Sequence, residues 1–582
     1  MKRTKIVCTI GPASEQVETL VKMLQHGMNI ARLNFSHGTH EEHSQRIKNI
    51  RQASQLTGIP VAIMLDTKGP EIRTGQLKNG KITLKAGEEI FLTTEIIQGD
   101  EERISISEEQ LIHDISVGDR ILLDDGLIEL QVKEILAKDI RCQILNTGEL
   151  SNRKGVNVPG VALNLPAVNQ KDYEDILFGI AQQVDFIAAS FVRSADDVLQ
   201  IRKILEEHSS DIHIIAKIEN GQGVDNLEEI LAASDGLMVA RGDLGVEIAT
   251  ERVPLVQKAM IKASNLAGKP IITATQMLDS MIRNPRPTRA EANDVANAIF
   301  DGTDAVMLSG ETAAGKYPLE AVQTMEKIAR TIEAALADQI GEERVQGTTN
   351  ITTTDAIGYA SCGLAKSLAA KAIITATESG STARKVAKYR PNADIIAVTG
   401  KERTLRKLLL VWGVTPILGK VVNNTDDMLQ EAIQRSVDAG LVRDGDLVIL
   451  TAGVPVGISG TTNLIKVEVV GKMLAQGTGL GSGSLVGFAR KILEPADLQA
   501  VGEQDILICQ QTDSSYLEAI KKARAIITET NGLTSHGAIV ALNLNKPIIV
   551  GAENILANVQ NGDLLTMELE TGLIYQGQTG IQ

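Results

Sequence analysis

Lys217 and Glu219 stand two residues apart at the end of an apolar run, "IIAKIENGQG" (214–223). Residues i and i+2 of a β-strand share a face, so a cation and an anion are aimed into one small volume. Burying them is costly unless further charges or a ligand compensate. Other apolar runs end the same way. "NIARLNFS" closes on Arg32, Asn34 and Ser36, "VAIMLDT" on Asp66 and Thr67, "GLMVARGD" on Arg241, Gly242 and Asp243, "PIITATQM" on Thr275, and "DAVMLSGE" on Ser309 and Glu311. Two carboxylates, Glu219 and Asp243, suit a hard divalent cation such as Mg2+, which takes few protein ligands and leaves the rest to water and substrate oxygens. Lys217 beside them would face a ligand and stabilise negative charge as a phosphoryl group moves or an enolate forms. The plain alternative is a structural ion network. Polar residues converging from six strand ends argue for a site.

The elements that must position these residues follow a regular plan. Eight short apolar runs, adding "KIVCTIG" and "DFIAASFV" to those already quoted, alternate with amphipathic stretches between residue 5 and about 340. Near-continuous apolar strands separated by helices predict a parallel sheet covered on both faces, and eight units predict a closed (β/α)8 barrel whose active site lies at the C-terminal ends of the strands. The third run is followed by an insertion of about 100 residues, with closely spaced strands and turns at Asn79-Gly80, Asp125-Gly126 and Thr147-Gly148. It predicts a small β-barrel or sandwich placed over the barrel mouth as a lid. The polar stretch "GEERVQGTTNITTT" (341–354) reads as a linker, and an open α/β sheet follows to about 473. "AQGTGLGSGS" (475–484) reads as a second, flexible linker, not a nucleotide loop, before a last α/β unit. The expected boundaries are 1–69 and 170–340 for the barrel, 70–169 for the lid, 350–473 for the third unit and 484–582 for the last.

Composition excludes some classes of function. The 582 residues carry 58 Lys+Arg against 73 Asp+Glu, a net charge of −15, with only 2% aromatics. That argues against general binding to nucleic acid or anionic membranes. Cys8, Cys142, Cys362 and Cys509 have no CxxC spacing, which predicts neither a zinc site nor a disulfide framework. The apolar run after "MKRTK" stops at Gly11-Pro12, so no secretory signal is expected and the reading is cytoplasmic.

"CTIGPAS", "NIARLNFSHG", "LDTKGPEIRTG", "NRKGVNVPG", "AKIENGQG", "VARGDLGVE", "ATQMLDSM", "RPTRAEANDVANAIFDGTDAVMLSGETAAGKYP" and "SGSTARKVAKYRP" occur in this order, and together residues 1 to about 473 resemble the pyruvate kinase family. The resemblance implies a TIM-type barrel with an inserted β-barrel lid and a C-terminal α/β regulatory domain. It also implies phosphoryl transfer from phosphoenolpyruvate to ADP, giving pyruvate and ATP, and a homotetramer. Carried over by position, Lys217 stabilises the phosphoryl group in flight, and Glu219 and Asp243 hold Mg2+. Arg32, Gly242, Asp243 and Thr275 contact the substrate, Thr275 near the methylene carbon that is protonated. Asn34, His37, Arg73 and Lys154 reach the nucleotide. The resemblance further implies K+ bound through Asn34, Ser36, Asp66 and Thr67. Members that manage without potassium carry Lys where this sequence has Glu71, and a carboxylate there leaves a charge deficit that K+ can fill. His37 has an alternative reading as a backbone-satisfied histidine near a helix start, and the remaining barrel histidines read as surface residues.

Three further stretches need weighing. "GQLKNGK" (Gly75–Lys81) spells G-x-x-x-x-G-K, but Ile82 follows where a P-loop needs Ser or Thr, and no helix stands behind it. The loop "TESGSTAR" brings Thr377, Ser379, Gly380, Ser381 and Thr382 to a helix N-terminus, which is an anion site by geometry or simply a capped helix end. Similarity to the family favours an effector phosphate there. The carboxylate of Glu378 points to a monophosphate, such as a sugar monophosphate or AMP, over fructose 1,6-bisphosphate. Finally, "AIITETNGLTSHGAIVALNLNKPIIVGA" resembles the swivelling phosphohistidine domain of phosphoenolpyruvate-utilising enzymes, with His536 on the phosphate-carrying histidine. Asn531 replaces the first Gly of that loop and no ATP-grasp domain is present, so a structural role is expected over a phosphohistidine phosphotransferase. A catalytically dead scaffold is opposed by the intact Arg32, Lys217, Glu219, Asp243 and Thr275.

Overall fold

The computed structural model describes residues 2–336, 352–422, 424–454 and 461–577. Most of the expected linker at 341–354 lies outside the described residues. Among those described, the chain divides into two compact units, one of residues 1–349 with 402–414 and one of 350–401 with 415–582.

In the first unit eight parallel strands close into a barrel: β1 (Lys5–Thr9), β2 (Ile30–Asn34), β3 (Ala62–Asp66), β4 (Phe186–Ala189), β5 (His213–Ile218), β6 (Gly236–Ala240), β7 (Ile271–Ala274) and β8 (Ala305–Leu308). Almost every residue of these strands is buried, as expected where helices cover the outside and side chains fill the inside. Consecutive strands pair in register, Asn34 opposite Asp66 and Lys217 opposite Met238, which brings the polar strand ends to one level. The surrounding helices start on side-chain caps. Thr39 with Glu42, Ser194 with Asp197 and Thr288 with Glu291 form reciprocal capping boxes, satisfying donors that would otherwise be orphaned.

The insertion after β3 has its own core. It forms a six-stranded sheet beside a two-stranded one, with Leu84, Ile90, Leu92, Leu123, Leu130 and Val132 fully buried inside. The chain rejoins the barrel at the helix Gln170–Ala181, capped by Asn169.

The segment 402–414, expected in the third unit, belongs with the barrel. Leu409 and Leu410 join the core that fills the barrel interior, alongside Val7, Met64, Phe186 and Ile215. Arg406 pairs with Asp185 at 2.8 Å, Lys407 with Asp211 at 2.9 Å, and the amide of Trp412 donates to Asp304 at 3.2 Å.

In the second unit a five-stranded sheet runs in the order Val414–Leu418, Asp394–Thr399, Ala372–Ala376, Leu447–Gly453, Thr462–Val469, the last strand antiparallel. An eight-stranded sheet follows. Its central strands Ser484–Lys491, Asp505–Cys509, Ala525–Thr528 and Ile548–Val550 are parallel. Here the expected flexible linker at 475–484 is corrected: Met473–Gln476 and Thr478–Leu480 are strands at the two edges of that sheet. Its glycines serve close approach. A Cβ on Gly479 would sit 1.9 Å from the Leu569 carbonyl oxygen, and one on Gly477 2.4 Å from that of Val550. Strand pairing in this last sheet begins at Met473.

Candidate active site

Lys217, at the upper end of β5, is the centre of the barrel mouth. Its Nζ lies 2.7 Å from Ser190 Oγ, 3.0 Å from Glu219 Oε1 and 3.1 Å from Asp66 Oδ1. Two of the three ammonium donors have hydrogen-bond acceptors, Ser190 and Asp66, and Glu219 completes the set as an ion pair. The group is buried, which disfavours its charge, but Asp66 and Glu219 outweigh burial and raise its pKa, so it stays protonated. The other oxygen of Asp66 accepts from Arg32 Nε at 2.6 Å, and Arg32 Nη1 donates to Thr9 Oγ1 at 2.9 Å. Arg32 and Lys217 between them hold the Asp66 pKa below the ordinary range despite its burial.

Glu219 is 1% exposed, and its second oxygen accepts from the Phe191 amide at 2.6 Å. Burial, against the pull of Lys217 and with a further push from Asp243, raises its pKa to about 7. Arg32 and Lys217 face Asp66, Glu219 and Asp243, leaving one negative charge in excess. A carboxylate that burial makes reluctant to ionise, with a second carboxylate acting on it, is a pair that a divalent cation would relieve. Among the described residues no group of three or more His, Cys, Asp or Glu forms a dedicated metal cage. Two carboxylates match a cation such as Mg2+, which relies on few protein ligands. The oxygen-rich ends of β2 and β3 fit a monovalent cation: Asn34 faces Asp66 in register, its Oδ1 accepts from the Ser36 amide at 3.1 Å, and Thr67 follows Asp66 directly. Glu71 forms an ion pair with Arg73 at 2.7 Å.

Thr275 has a φ of +66°, rare for a β-branched residue, and Gln276 after it is also left-handed at +54°. Two groups hold this turn. The Gly242 amide donates to Thr275 Oγ1 at 2.7 Å, and Arg241, itself paired with Asp294, donates to the carbonyls of Ala274 and Thr275. Asp243 lies one residue on, in the short helix Arg241–Glu247. Beside it opens a cavity of about 270 Å3, lined by Glu71, Asp125, Asn157, Asn220, Asp243 and Glu247 among others. Asn157 of the insertion donates to Glu247 across it at 2.7 Å.

The first family match, described as the pyruvate kinase barrel domain, covers residues 1–322, more than half of the chain. The pyruvate kinase alpha/beta domain matches 355–468, and the mobile domain of PEP-utilising enzymes matches 501–572. Curated pyruvate kinases from Geobacillus stearothermophilus and Bacillus licheniformis are 56% and 54% identical, over the full length of both chains in each case. A pyruvate kinase structure from Cryptosporidium parvum superposes with a TM-score of 0.76 at 41% identity, covering 81% of this chain and 96% of its own. The chain belongs to the pyruvate kinase family. It is a glycolytic enzyme with pyruvate kinase activity, extended by a PEP-utiliser mobile domain.

Measured against the positions carried over from the pyruvate kinase family, the barrel candidates Arg32, Asp66, Lys217 and Glu219 form one cluster, Arg32, Asp66 and Lys217 joined by hydrogen bonds and Glu219 by its ion pair with Lys217. Arg73 and Lys154 lie on neighbouring segments of the insertion, Arg73 bridging to Gly155, and each is held by a carboxylate, Glu71 and Asp124 respectively. His37 is exposed, and its carbonyl is bonded to the ring of His43. His43 corrects the reading of the other barrel histidines as surface residues: it is 1% exposed and stacked 3.9 Å from Phe35, and burial lowers its pKa. At the effector candidate, Thr377 Oγ1 accepts from the Gly380 amide and Gly380 has a φ of +79°. Thr382, however, is buried with its hydroxyl on Thr462 at 2.8 Å, and Glu378 pairs with Lys401 at 2.5 Å. His536 is exposed at the first position of the helix His536–Asn543, its Nδ1 3.0 Å from Thr512 Oγ1. The residues missed from sequence are Ser190, Thr9 and the Phe191 amide, all of which touch the charged cluster.

Proposed function

We propose that the mouth of the barrel transfers a phosphoryl group from phosphoenolpyruvate to ADP, with Lys217 as the principal protein charge on the group in flight. The observation that carries this is the pinned, protonated ammonium of Lys217 between Asp66, Glu219 and Ser190, with Arg32 beside it. Arg32 binds the substrate phosphate. Gly242 and Asp243, at the start of a helix, form the substrate carboxylate side, and the hydroxyl of Thr275, held by the Gly242 amide in a strained turn, is assigned to the methylene carbon, where it supports protonation. Mg2+ held by Glu219 and Asp243 would supply charge stabilisation to enolate and phosphoryl oxygens. K+ at Asn34, Ser36, Asp66 and Thr67 would supply the positive charge that Glu71 does not. Asn34, His37, Arg73 and Lys154 address the nucleotide; Arg73 and Lys154 exchange their carboxylate partners for phosphate as the insertion closes over the mouth.

The loop Thr377–Thr382 is read as the effector site, selective for a monophosphate. Lys401 offsets part of the Glu378 charge, but an exposed pair is worth at most about 1 kcal/mol, and repulsion of a second phosphate remains. The enzyme is read as a cytoplasmic homotetramer, as its resemblance to the family implies. The appended domain is read as structural. An assay coupling pyruvate formation to NADH oxidation, with phosphoenolpyruvate, ADP, Mg2+ and K+, tests the activity: turnover is expected, and no oxidation above background removes the reading.

A further inference from the structure

The inserted domain leaves the barrel after β3 and returns at the helix Gln170–Ala181, so its two roots meet where Thr67–Gly69 faces Asn169 and Asp172. Asp172 Oδ1 accepts from the amides of Lys68 at 3.1 Å and Gly69 at 3.2 Å, and Asn169 Nδ2 donates to the Gly69 carbonyl at 3.3 Å. The turn is pressed onto the end of β4. Gly69 has a φ of +73°, and a Cβ there would lie 2.8 Å from that of Ser190. Ser190 answers with its amide, which donates to Thr67 Oγ1 at 3.1 Å, and with its hydroxyl, which donates to the Thr67 carbonyl at 2.6 Å, lies 3.3 Å from Asp66 Oδ1, and accepts from Lys217 at 2.7 Å. The root of the insertion is thus two hydrogen bonds from the catalytic ammonium.

Two observations mark this joint as incomplete in protein atoms alone. The second oxygen of Asp172, on a residue 2% exposed, has no hydrogen-bond partner. Asp172, Thr67 and Ser190 also line a cavity of about 10 Å3, otherwise walled by side chains such as Ile176, Val192 and Ile201. That is the room one water needs, and the site offers the polar partners a buried water requires.

We propose that this cavity is a binding site for one structural water that donates to Asp172 Oδ2, and that Asp172, the water and Ser190 form a joint fixing the root of the inserted domain against Lys217. Ser190 is then a positioning residue: with Asp66 it is one of the two hydrogen-bond acceptors that aim the ammonium. The inference rests on the role given to Lys217 above.

The test uses the full chain. A crystal structure at high resolution is expected to show a water within about 3.2 Å of Asp172 Oδ2. Ser190→Ala is expected to lower kcat about tenfold with KM for phosphoenolpyruvate within about twofold, the scale of one lost hydrogen bond to a charged group. Asp172→Ala is expected to speed hydrogen exchange at the Lys68 and Gly69 amides about tenfold and to lower kcat as well; Asp172→Asn, which keeps an acceptor for those amides, leaves their exchange slow and guards against simple misfolding. A dry cavity, or a Ser190→Ala enzyme with kcat within about twofold of the parent, overturns the joint. Since Lys217→Ala tests the lysine itself, the failure of one reading is distinguishable from the failure of the other.

Discussion

Lys217→Ala is the perturbation that bears most directly on the chemistry. It removes an ammonium hydrogen-bonded to Ser190 and Asp66 and ion-paired with Glu219, and its effects divide into catalysis and stability. For catalysis, a buried charge acting on the transferring phosphoryl group is worth about 4 kcal/mol, or about 10³ in kcat, since each tenfold is about 1.36 kcal/mol. For stability, the two carboxylates fare differently. Asp66 keeps Arg32 at 2.6 Å, whereas Glu219 is left with only the Phe191 amide. Breaking a buried pair costs about 3–5 kcal/mol, and because one of the two acids keeps a cation, the lower end is expected. Binding of the divalent cation should survive, since Glu219 and Asp243 remain and the repelling charge beside them is gone. The measurements are turnover at saturating substrates in the NADH-coupled assay, Mn2+ binding by electron paramagnetic resonance, and a thermal melt to confirm folding. Retention of more than about a tenth of the parental kcat in a folded, Mn2+-binding variant would refute the assigned role.

Other expectations follow from the same geometry. Activity should require K+, and Glu71→Lys should weaken that requirement by placing a positive charge where the carboxylate of Glu71 stands; equal rates in potassium-free and potassium buffers would contradict this. At subsaturating phosphoenolpyruvate a sugar monophosphate or AMP should activate more than fructose 1,6-bisphosphate, and the reverse order in a titration would overturn the reading of Glu378. Ending the chain before Met473, where the last sheet begins, should leave turnover and effector response largely intact; an acid-labile, alkali-stable label from phosphoenolpyruvate that disappears in His536→Ala would instead make that domain a phosphoryl carrier. Asp355 is pushed upward by burial but held at about 2 by Thr352, Lys385 and Lys388, so its bonds stabilise the fold above the ordinary value of 3.8 and are lost as the pH falls through about 2. Asp355→Asn should therefore cost about 1.5–3 kcal/mol in a denaturant titration at pH 7, with the difference from the parent shrinking toward pH 2.

The barrel was legible because its signals are local. Each strand is a short apolar run that ends in polar residues, and in a parallel sheet covered on both faces that pattern is dictated by burial alone. What could not be read depends on partners distant in sequence. A Gly-Ser run has the same composition whether it is flexible or must pass within reach of another backbone, and only the carbonyls of Leu569 and Val550 show that Gly479 and Gly477 are of the second kind. The run "LLLVW" around Leu409 and Leu410 is apolar in either domain, and only the barrel interior decides where it goes.

Ser190 lies between these cases, because its role was within reach of sequence reasoning. An ammonium buried at a strand end needs three partners, and the quoted carboxylates supplied two, Asp66 on β3 by a hydrogen bond and Glu219 on β5 itself by an ion pair. In a barrel with strands in sequential order, β4 must stand between β3 and β5, so the third partner is sought where "FIAA" ends, and the next residue is Ser190. Counting donors against the acceptors that topology makes available extends a site from the residues that carry charge to the neutral ones that aim them. The same count shows why Thr9 is found with Arg32: β1 flanks β2 on the other side, Thr9 is opposite Arg32 in register, and the guanidinium has more donors than Asp66 can accept.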